Sequence, residues 1–184
     1  MDAAYAMGKR RKRRLREIWR PPGGDMFLFV DDFPAIRSLA GQLQAQADQL
    51  RQFAENASRS FMEWPEPLHG GGWDVFALKW QGEVVLPVIE LFPWLARALV
   101  FNAGFSRLAP GTVIVPHVGY TSDVLRLHLG LDCPPGASIT VGEETREWRD
   151  GEVLLFDDTL LHSARNDGDR DRLILLVDVK KSGH

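Results

Sequence analysis

A series of short segments after residue 73 constrains the fold more than any other feature of this sequence. Each segment is apolar, or alternates between apolar and polar residues, and turn-forming residues separate it from the next segment. Closely spaced strands of this kind are typical of a β-sandwich or of a barrel of the jelly-roll type. We predict strands over 73–80, 101–108, 112–115, 124–131, 137–141, 153–156 and 172–179.

One helix is predicted ahead of these strands. Its apolar residues recur at spacings of three and four, which is the pattern of an amphipathic helix: Ile36, Leu39, Ala40, Leu43, Ala47, Leu50 and Phe53 or Ala54. The stretch 64–72 contains two prolines and three glycines and is predicted to be a loop, and a short helix is predicted within 87–100. The expected architecture is therefore mostly β, a jelly roll with one amphipathic N-terminal helix packed outside.

The distribution of charge separates a short basic leader from an acidic body. The chain has 184 residues and a net charge of −3, but residues 1–20 hold eight Lys or Arg against two acidic residues. The remainder therefore has fourteen basic and twenty-three acidic residues, a net charge of −9. We predict a flexible leader over 1–24, which could contact anionic surfaces, and a single domain over 25–184. An acidic body argues against a specific nucleic-acid partner.

Several classes of protein are excluded by local composition. The most apolar stretch, 84–105, contains Glu90 and Arg97 and two prolines, so no transmembrane segment is predicted. No apolar segment follows the basic residues of the N-terminus, so no secretory signal is predicted either. Cys133 is the only cysteine, which precludes an intramolecular disulfide and indicates a reducing compartment, the cytoplasm.

Strand alternation places several polar side chains on defined faces. Within 125–129, three leucines share one face of the predicted strand, whereas Arg126 and His128 share the other. Arg172 likewise lies opposite the apolar face of the last strand. His117 ends one predicted strand, and His162 follows another 45 residues later.

These two histidines are candidates for a metal site. Strands that are distant in sequence are often neighbours in a jelly roll, so the imidazoles of His117 and His162 could converge on one ion. Two imidazoles with open remaining positions suit Fe(II), Zn, Cu or Ni. The guanidinium of Arg172 suits the carboxylate of a small co-ligand, which it can bind through two hydrogen bonds.

Four blocks of sequence resemble the aspartyl/asparaginyl β-hydroxylase family of Fe(II)- and 2-oxoglutarate-dependent oxygenases. They are FSRLAPGTVIVPHVG over 105–119, LRLHLGL over 125–131, WRDGEVLLFDD over 148–158, and His162 with RLILLVDV over 172–179. The blocks occur in the family's order and close to its spacing, and the resemblance as a whole spans roughly residues 73–179. The resemblance implies a double-stranded β-helix, the cupin-like form of the jelly roll. It also implies Fe(II) and O2 as cofactors and 2-oxoglutarate as cosubstrate.

The resemblance assigns roles to individual residues. His117 and His162 would hold the iron. Arg172, with Ser106 as its hydrogen-bonding partner, would hold the remote carboxylate of 2-oxoglutarate. The other end of the cosubstrate would meet the residues that alternation places on one face, Arg126 and His128.

Two further assignments keep an alternative beside them. Trp73 matches a tryptophan that lines the same pocket in the family, although an aromatic core residue is an equal interpretation. Asp157 and Asp158 are interpreted as a turn that positions His162, with direct metal ligation by either as the less favoured alternative. Cys133 is interpreted as a thiol without a functional role.

Gly119 lies where most iron oxygenases of this type carry a carboxylate ligand, two residues after the first histidine. The family also lacks that carboxylate, so the glycine is compatible with hydroxylation of an unactivated carbon and release of succinate and CO2. A halogenase on the same fold is an alternative, because a small residue at this position leaves room for chloride. Alternatives without catalysis are a jelly-roll ligand-binding protein and a purely structural β-sandwich.

The substrate is the least constrained element of the prediction. Family members that grip an acidic side chain do so with arginines at positions that are here Val124 and the region before Trp73, where the nearest arginine is Arg59. These departures put an aspartyl substrate in doubt. A small-molecule, amino-acid or peptide substrate is expected, such as an asparagine-like group or a carrier-bound precursor. A lipid acyl chain is a further alternative.

Overall fold

The computed structural model describes residues 24–85 and 88–181, so the predicted leader lies outside the described residues except for Gly24. Two α-helices, α1 (Pro34–Ala45) and α2 (Ala47–Asn56), precede the main strands, and 3-10 turns occur at Val30–Asp32, Ser58–Ser60 and Pro93–Ala96. The strands are β1 (Met62–Glu63), β2 (Trp73–Trp80), β3 (Glu83–Val84), β4 (Val100–Leu108), β5 (Val113–His117), β6 (Val124–Asp132), β7 (Ala137–Val141), β8 (Glu144–Glu147), β9 (Val153–Phe156), β10 (His162–Asn166) and β11 (Arg172–Lys180).

The strands form two antiparallel sheets. The larger sheet has the order β1-β2-β4-β11-β6-β9, with β3 also paired to β2, and the smaller sheet has the order β5-β10-β7-β8. Strands distant in sequence are therefore neighbours, as when β11 pairs with both β4 and β6. This is the predicted mostly-β, cupin-like jelly roll, and each of the seven predicted strands is present.

The prediction of one N-terminal helix is wrong, because the helix is interrupted at Gln46. The backbone of Gln46 has φ −105° and ψ 10°, which ends α1, and α2 begins at the next residue. Leu43 and Leu50 are buried on either side of the break and lie seven residues apart, or two helical turns. The spacing of apolar residues is thus the same for one helix as for two consecutive ones.

The helices cover the outer face of the larger sheet. Leu125, Leu127 and Leu129 of β6 are buried in this layer together with α1 and α2, as alternation predicts. The opposite face of the same sheet looks toward the smaller sheet, where Phe156, Ile174 and apolar residues of β7 form a second core. The polar residues opposite the leucines are therefore enclosed between the two sheets rather than exposed to solvent.

None of the helices in the described part of the chain is long and apolar enough to cross a bilayer.

Candidate active site

His117 and His162 face each other across two paired strands of the smaller sheet. They are register partners in the β5–β10 pair, and their ring centroids lie 4.2 Å apart. His162 is buried, whereas His117 at the end of β5 is partly exposed. The two imidazoles that the sequence proposed as metal ligands are therefore adjacent, at the open end of the space between the sheets.

Hydrogen bonds orient both imidazoles in the same way. Nδ1 of His117 lies 2.9 Å from the carbonyl oxygen of Val115, and Nδ1 of His162 lies 2.8 Å from that of Leu160. A carbonyl only accepts, so Nδ1 carries the proton in each ring and Nε2 keeps its lone pair for a metal. Burial lowers the pKa of His117 and lowers that of His162 to about 3, so both rings are neutral, as metal ligands must be.

Asp158 is packed against both His162 and Gly119. Its Oδ1 lies 3.6 Å from Nε2 of His162 and 2.6 Å from Nη1 of Arg126. The backbone N–H of Gly119 donates to the carbonyl of Asp158 at 2.7 Å, and a Cβ at Gly119 would overlap the Asp158 carboxylate. Burial raises the pKa of Asp158 to about 6, against the opposing effect of the Arg126 charge. The space beside Gly119 is thus already filled by the carboxylate of Asp158, which lies in the loop between β9 and β10.

Asp157 forms the turn that was predicted for this pair of aspartates. Its Oδ1 accepts hydrogen bonds from the backbone N–H and the hydroxyl of Thr159, at 3.0 and 2.8 Å. Its Oδ2 accepts one from Nζ of Lys181 at 2.6 Å. The two aspartates therefore differ, because Asp157 stabilises the turn before β10 whereas Asp158 lies against His162 and Arg126.

Arg172 lies at the centre of the space between the sheets and is 1% exposed. Its Nη1 donates to the carbonyl and the hydroxyl of Ser106, at 3.0 and 3.2 Å, and the Ser106 hydroxyl also accepts from Nε1 of Trp73 at 3.1 Å. The guanidinium lies 4.5 Å from the ring centroid of Trp148. Nε of Arg172 is buried and has no hydrogen-bond partner among the described residues, so a charged donor is available to an anion.

His128 supplies a second buried donor without a partner. Nε1 of Trp148 donates to Nδ1 of His128 at 3.2 Å, so the proton of the neutral ring is on Nε2. That Nε2 is buried and has no partner within the described part of the chain. Burial lowers the pKa of His128 well below its usual value, with further lowering from the charges of Arg126 and Arg172. Phe156 separates this ring from that of His162, with centroid distances of 5.3 and 5.4 Å.

Arg126 is more heavily paired than the sequence suggested. Its Nε and Nη2 donate to the two carboxylate oxygens of Asp178, at 2.9 and 3.2 Å, and its Nη1 contacts Asp158. Burial alone would lower its pKa, but the carboxylates of Asp178 and Asp158 raise it. Nη1 and Nη2 each carry two hydrogens, and one of each pair is directed at Asp158 or Asp178. While both carboxylates remain bound, only the other hydrogen on each nitrogen is available to a cosubstrate.

A cavity of about 340 Å³ opens beside the histidine pair. His117, Gly119 and Arg126 lie on its wall, and so do Ser106 and Trp73. The other predicted site residues, His128, His162 and Arg172, are buried behind that wall. The structure thus brings all seven predicted residues into one region between the sheets, and four of them line the cavity.

The donor set fits a divalent metal with a small dicarboxylate. Two neutral imidazoles present lone pairs, and two buried N–H donors, on Arg172 and His128, await an acceptor. Within residues 24–85 and 88–181 no group of three or more His, Cys, Asp or Glu is arranged to hold a metal ion. Any metal at the pair would accordingly depend on a co-ligand or water for its remaining positions.

Sequence reasoning missed three polar residues at the cavity. Asn102 donates to the hydroxyl of Tyr120 at 2.6 Å and to Asp178 at 2.8 Å, and its carbonyl accepts from the backbone N–H of Gln81 at 2.7 Å. Alternation could have found Asp178, which lies on the Arg172 face of β11, and Asn102, which lies on the Ser106 face of β4. No local pattern indicates Tyr120, whose position depends on the loop after β5.

A model of the Aspartyl/Asparaginyl beta-hydroxylase family matches residues 30–182 of this chain. The chain belongs to the aspartyl/asparaginyl β-hydroxylase family. The resemblance inferred from the four sequence blocks is therefore confirmed, and it extends to the helical region, to which the blocks contributed little.

Two human proteins are similar in sequence to this chain over part of their length. The human aspartate beta-hydroxylase domain-containing protein 2 is 46% identical over 123 residues, which are 59% of this chain and 33% of that protein. The human aspartyl/asparaginyl beta-hydroxylase is 32% identical over 156 residues, which are 78% of this chain and 21% of that protein. The chain therefore spans between a fifth and a third of the length of these two relatives.

Solved structures with a related fold are more distant. A predicted oxalate decarboxylase from Thermotoga maritima has a TM-score of 0.48 and 14% identity, over 66% of this chain and 92% of that chain. A cupin domain of a transcriptional regulator from Enterobacter cloacae has a TM-score of 0.45 and 15% identity, over 61% of this chain and 100% of that chain. Likeness at this level carries no information about substrate or metal.

Proposed function

We propose that this protein is an Fe(II)- and 2-oxoglutarate-dependent dioxygenase that hydroxylates an unactivated carbon of a small-molecule, amino-acid or peptide substrate. The observation that carries the proposal is the His117–His162 pair, with ring centroids 4.2 Å apart and both Nδ1 atoms bound to backbone carbonyls. Family membership supports it independently. Because Cys133 is the only cysteine, the proposed compartment is the cytoplasm.

In this proposal, side chains bind the metal and the cosubstrate, and backbone carbonyls orient the two imidazole rings. His117 and His162 hold the metal through Nε2, and the backbone carbonyls of β5 and of the turn before β10 fix the planes of the rings. Arg172 and Ser106 hold the remote carboxylate of 2-oxoglutarate, and Nε2–H of His128 donates to the other end. Fe(II) with 2-oxoglutarate and O2 supplies the oxidising power, with release of succinate and CO2.

Burial makes Arg172 selective for an anionic partner such as a carboxylate. Arg172 carries its charge in a nearly dry position, where burial lowers its pKa only to about 10. A buried cation without a carboxylate partner costs free energy, which a bound dicarboxylate recovers. Trp73 holds the Ser106 hydroxyl in place through its indole N–H, so it acts as a positioning residue for the carboxylate site.

The halogenase alternative is disfavoured by the surroundings of Gly119. A halogenase needs vacant room at this position for a chloride ion, yet a Cβ there would already overlap the Asp158 carboxylate. A chloride ion would lie against that carboxylate, and two like charges at close range repel each other. Hydroxylation is the reaction that this arrangement supports.

Release of succinate from 2-oxoglutarate tests the proposal. The full-length protein with Fe(II), ascorbate and 2-oxoglutarate should release succinate and consume O2, with more of both when a substrate is present. His162→Ala should abolish this release, because one imidazole alone cannot retain the ion. Normal succinate release by that variant would contradict the ligand role, and no release by the wild type with any candidate substrate would favour the ligand-binding alternative.

A matched histidine variant controls for loss of any imidazole. His69 lies near Trp73, but its two nitrogens interact with the backbone of Trp64 and Gly71, at 3.0 Å each. His69→Ala should therefore retain Mn(II) binding, whereas His162→Ala and His117→Ala should lose it. Because His162 is buried, His162→Gln serves as a second variant that preserves more of the side-chain volume.

A further inference from the structure

We propose that the cavity beside His117 accepts an uncharged aliphatic group of the primary substrate and rejects a carboxylate on that substrate. This inference rests on the proposed function, since it concerns the group that would be presented to the metal site. It follows from two features of the cavity wall, the absence of a free cation among its described residues and the shape of its apolar floor.

Both cations on the cavity wall are already held by other groups of the protein. The Arg126 guanidinium is bound by Asp178 through two hydrogen bonds and by Asp158 through a third contact. Nζ of Lys79 donates to the carbonyls of Leu95 and Arg97, at 2.6 and 3.3 Å. The Arg126 charge is balanced by two carboxylates. Lys79 keeps its charge, but it is buried and its ammonium is bound to backbone carbonyls, so neither cation is free to pair with a substrate carboxylate.

The carboxylates on the wall outnumber its cations. Glu66 stands at the exposed rim, and Asp158 and Asp178 are buried inside, against Lys79 and Arg126. An aspartyl side chain entering this space would lose its hydration without gaining an ion pair, and it would approach existing negative charges. The wall therefore disfavours binding of an anionic group. A neutral aliphatic group has no charge to desolvate and is not repelled by the carboxylates.

The floor of the cavity is built from small and aliphatic residues. Gly104, Ala77 and Leu176 are neighbours across β2, β4 and β11, and Val75 continues the same surface. Gly104 has no room for a larger side chain, because a Cβ there would lie 2.9 Å from the carbonyl oxygen of Phe76. The result is a flat apolar surface that leads to His117 and has the stacked rings of Trp64 and Trp73 beside it, 5.0 Å apart.

Binding of two matched probes tests the inference without any turnover. N-acetyl-norleucine amide and N-acetyl-aspartate amide differ mainly in the charge and polarity of the side chain, and binding to the full-length protein can be followed by saturation-transfer NMR and tryptophan fluorescence. The norleucine probe should bind about tenfold or more tightly than the aspartate probe. An equal or stronger affinity for the aspartate probe would overturn the inference.

Freeing the charge of Arg126 should reduce or abolish the preference. Asp178→Asn removes the carboxylate that occupies Nε and Nη2, so the affinity for the aspartate probe should rise about tenfold while that for the norleucine probe stays nearly constant. Asp74→Asn is the matched control, because Asp74 pairs with Arg107 away from the cavity and its loss should leave the ratio unchanged. An unchanged ratio in Asp178→Asn would also overturn the inference.

Two additional arms complete the test. Should Asp178→Asn fail to fold, Leu176→Lys places a free cation on the floor by another route, and the same rise in aspartate affinity is expected.

Octanamide separates the possible sources of an aliphatic group: binding of octanamide as well as norleucine indicates that the apolar chain suffices, and binding of norleucine alone indicates that the amino-acid backbone contributes. Failure of both to bind would contradict the inference, whereas binding without succinate release would contradict only the proposed function.

Discussion

Replacing Gly119 by alanine is expected to destabilise the protein far more than a glycine-to-alanine change at an unobstructed position. The new Cβ would overlap Oδ2 and Cγ of Asp158 and would lie 2.9 Å from its carbonyl oxygen. The Asp158 side chain is fully buried and forms an ion pair with Arg126 at 2.6 Å, so it cannot move aside freely. Overpacking of this kind costs about 1–3 kcal/mol, and separating a buried ion pair costs about 3–5 kcal/mol.

The free energy of unfolding of Gly119→Ala should therefore be lower than that of the wild type by about 3 kcal/mol, between the cost of overpacking and that of a broken ion pair. Urea unfolding followed by tryptophan fluorescence measures this difference. Gly41→Ala is the control, because Gly41 lies within α1 with nothing near its Cβ position, and alanine there should stabilise by roughly 0.5–1 kcal/mol.

A double-mutant cycle isolates the contact itself. In an Asp158→Ala background the carboxylate is absent, so adding Gly119→Ala should cost much less than it does in the wild type. A cost below about 0.5 kcal/mol for Gly119→Ala alone, or the same cost in both backgrounds, would refute the view that the Asp158 carboxylate fills the space beside Gly119.

Three further predictions concern the carboxylate site and the histidines. Arg172→Lys should weaken 2-oxoglutarate binding roughly tenfold to a hundredfold by calorimetry, because lysine keeps the charge but loses the planar fork, whereas Arg165→Lys on the exposed surface should change nothing. Trp73→Phe removes the donor to Ser106 and should cost about 0.5–1.5 kcal/mol in urea unfolding, with weaker 2-oxoglutarate binding; unchanged binding would contradict its positioning role. The free energy of unfolding of the metal-free protein should fall as the pH is lowered from about 7 to 5. Burial lowers the pKa of three histidines in the folded protein: His117, His128 and His162. In the unfolded chain the same histidines take up protons near pH 6.5, so a lower pH favours the unfolded chain. Asp158 opposes this change with a single proton, since burial raises its pKa to about 6, and a rise in stability over that range would contradict the burial of neutral histidines.

The strand pattern predicted the architecture well because most strands carry one apolar face. Strands β2, β7 and β9 have the predicted bounds, and the leucine face of β6 packs on the helices as alternation requires. Strand β10 was missed, since its residues His162–Asn166 mix polar and small side chains and its pairing comes from both neighbours, β5 and β7. Such a strand is set by the sheet around it and not by its own pattern.

The sequence selected the candidate site residues but not their mutual contacts. The motif blocks selected His117, His162 and Arg172, and the fold brings them into one region. The pairing of Arg126 with Asp178 joins residues 52 positions apart on β6 and β11, and only the register of those strands reveals it. The break at Gln46 is likewise invisible in the sequence, because the apolar spacing is unchanged across it.

One measurement tests the central claim most directly, that His117 and His162 share a metal ion. A crystal of the full-length protein soaked with Mn(II) and 2-oxoglutarate can be measured with X-rays that give an anomalous signal from manganese. We expect a single anomalous peak within bonding distance of Nε2 of both His117 and His162, with 2-oxoglutarate extending from it to Arg172. A peak at other residues, or ordered 2-oxoglutarate with no metal at the histidine pair, would contradict the account.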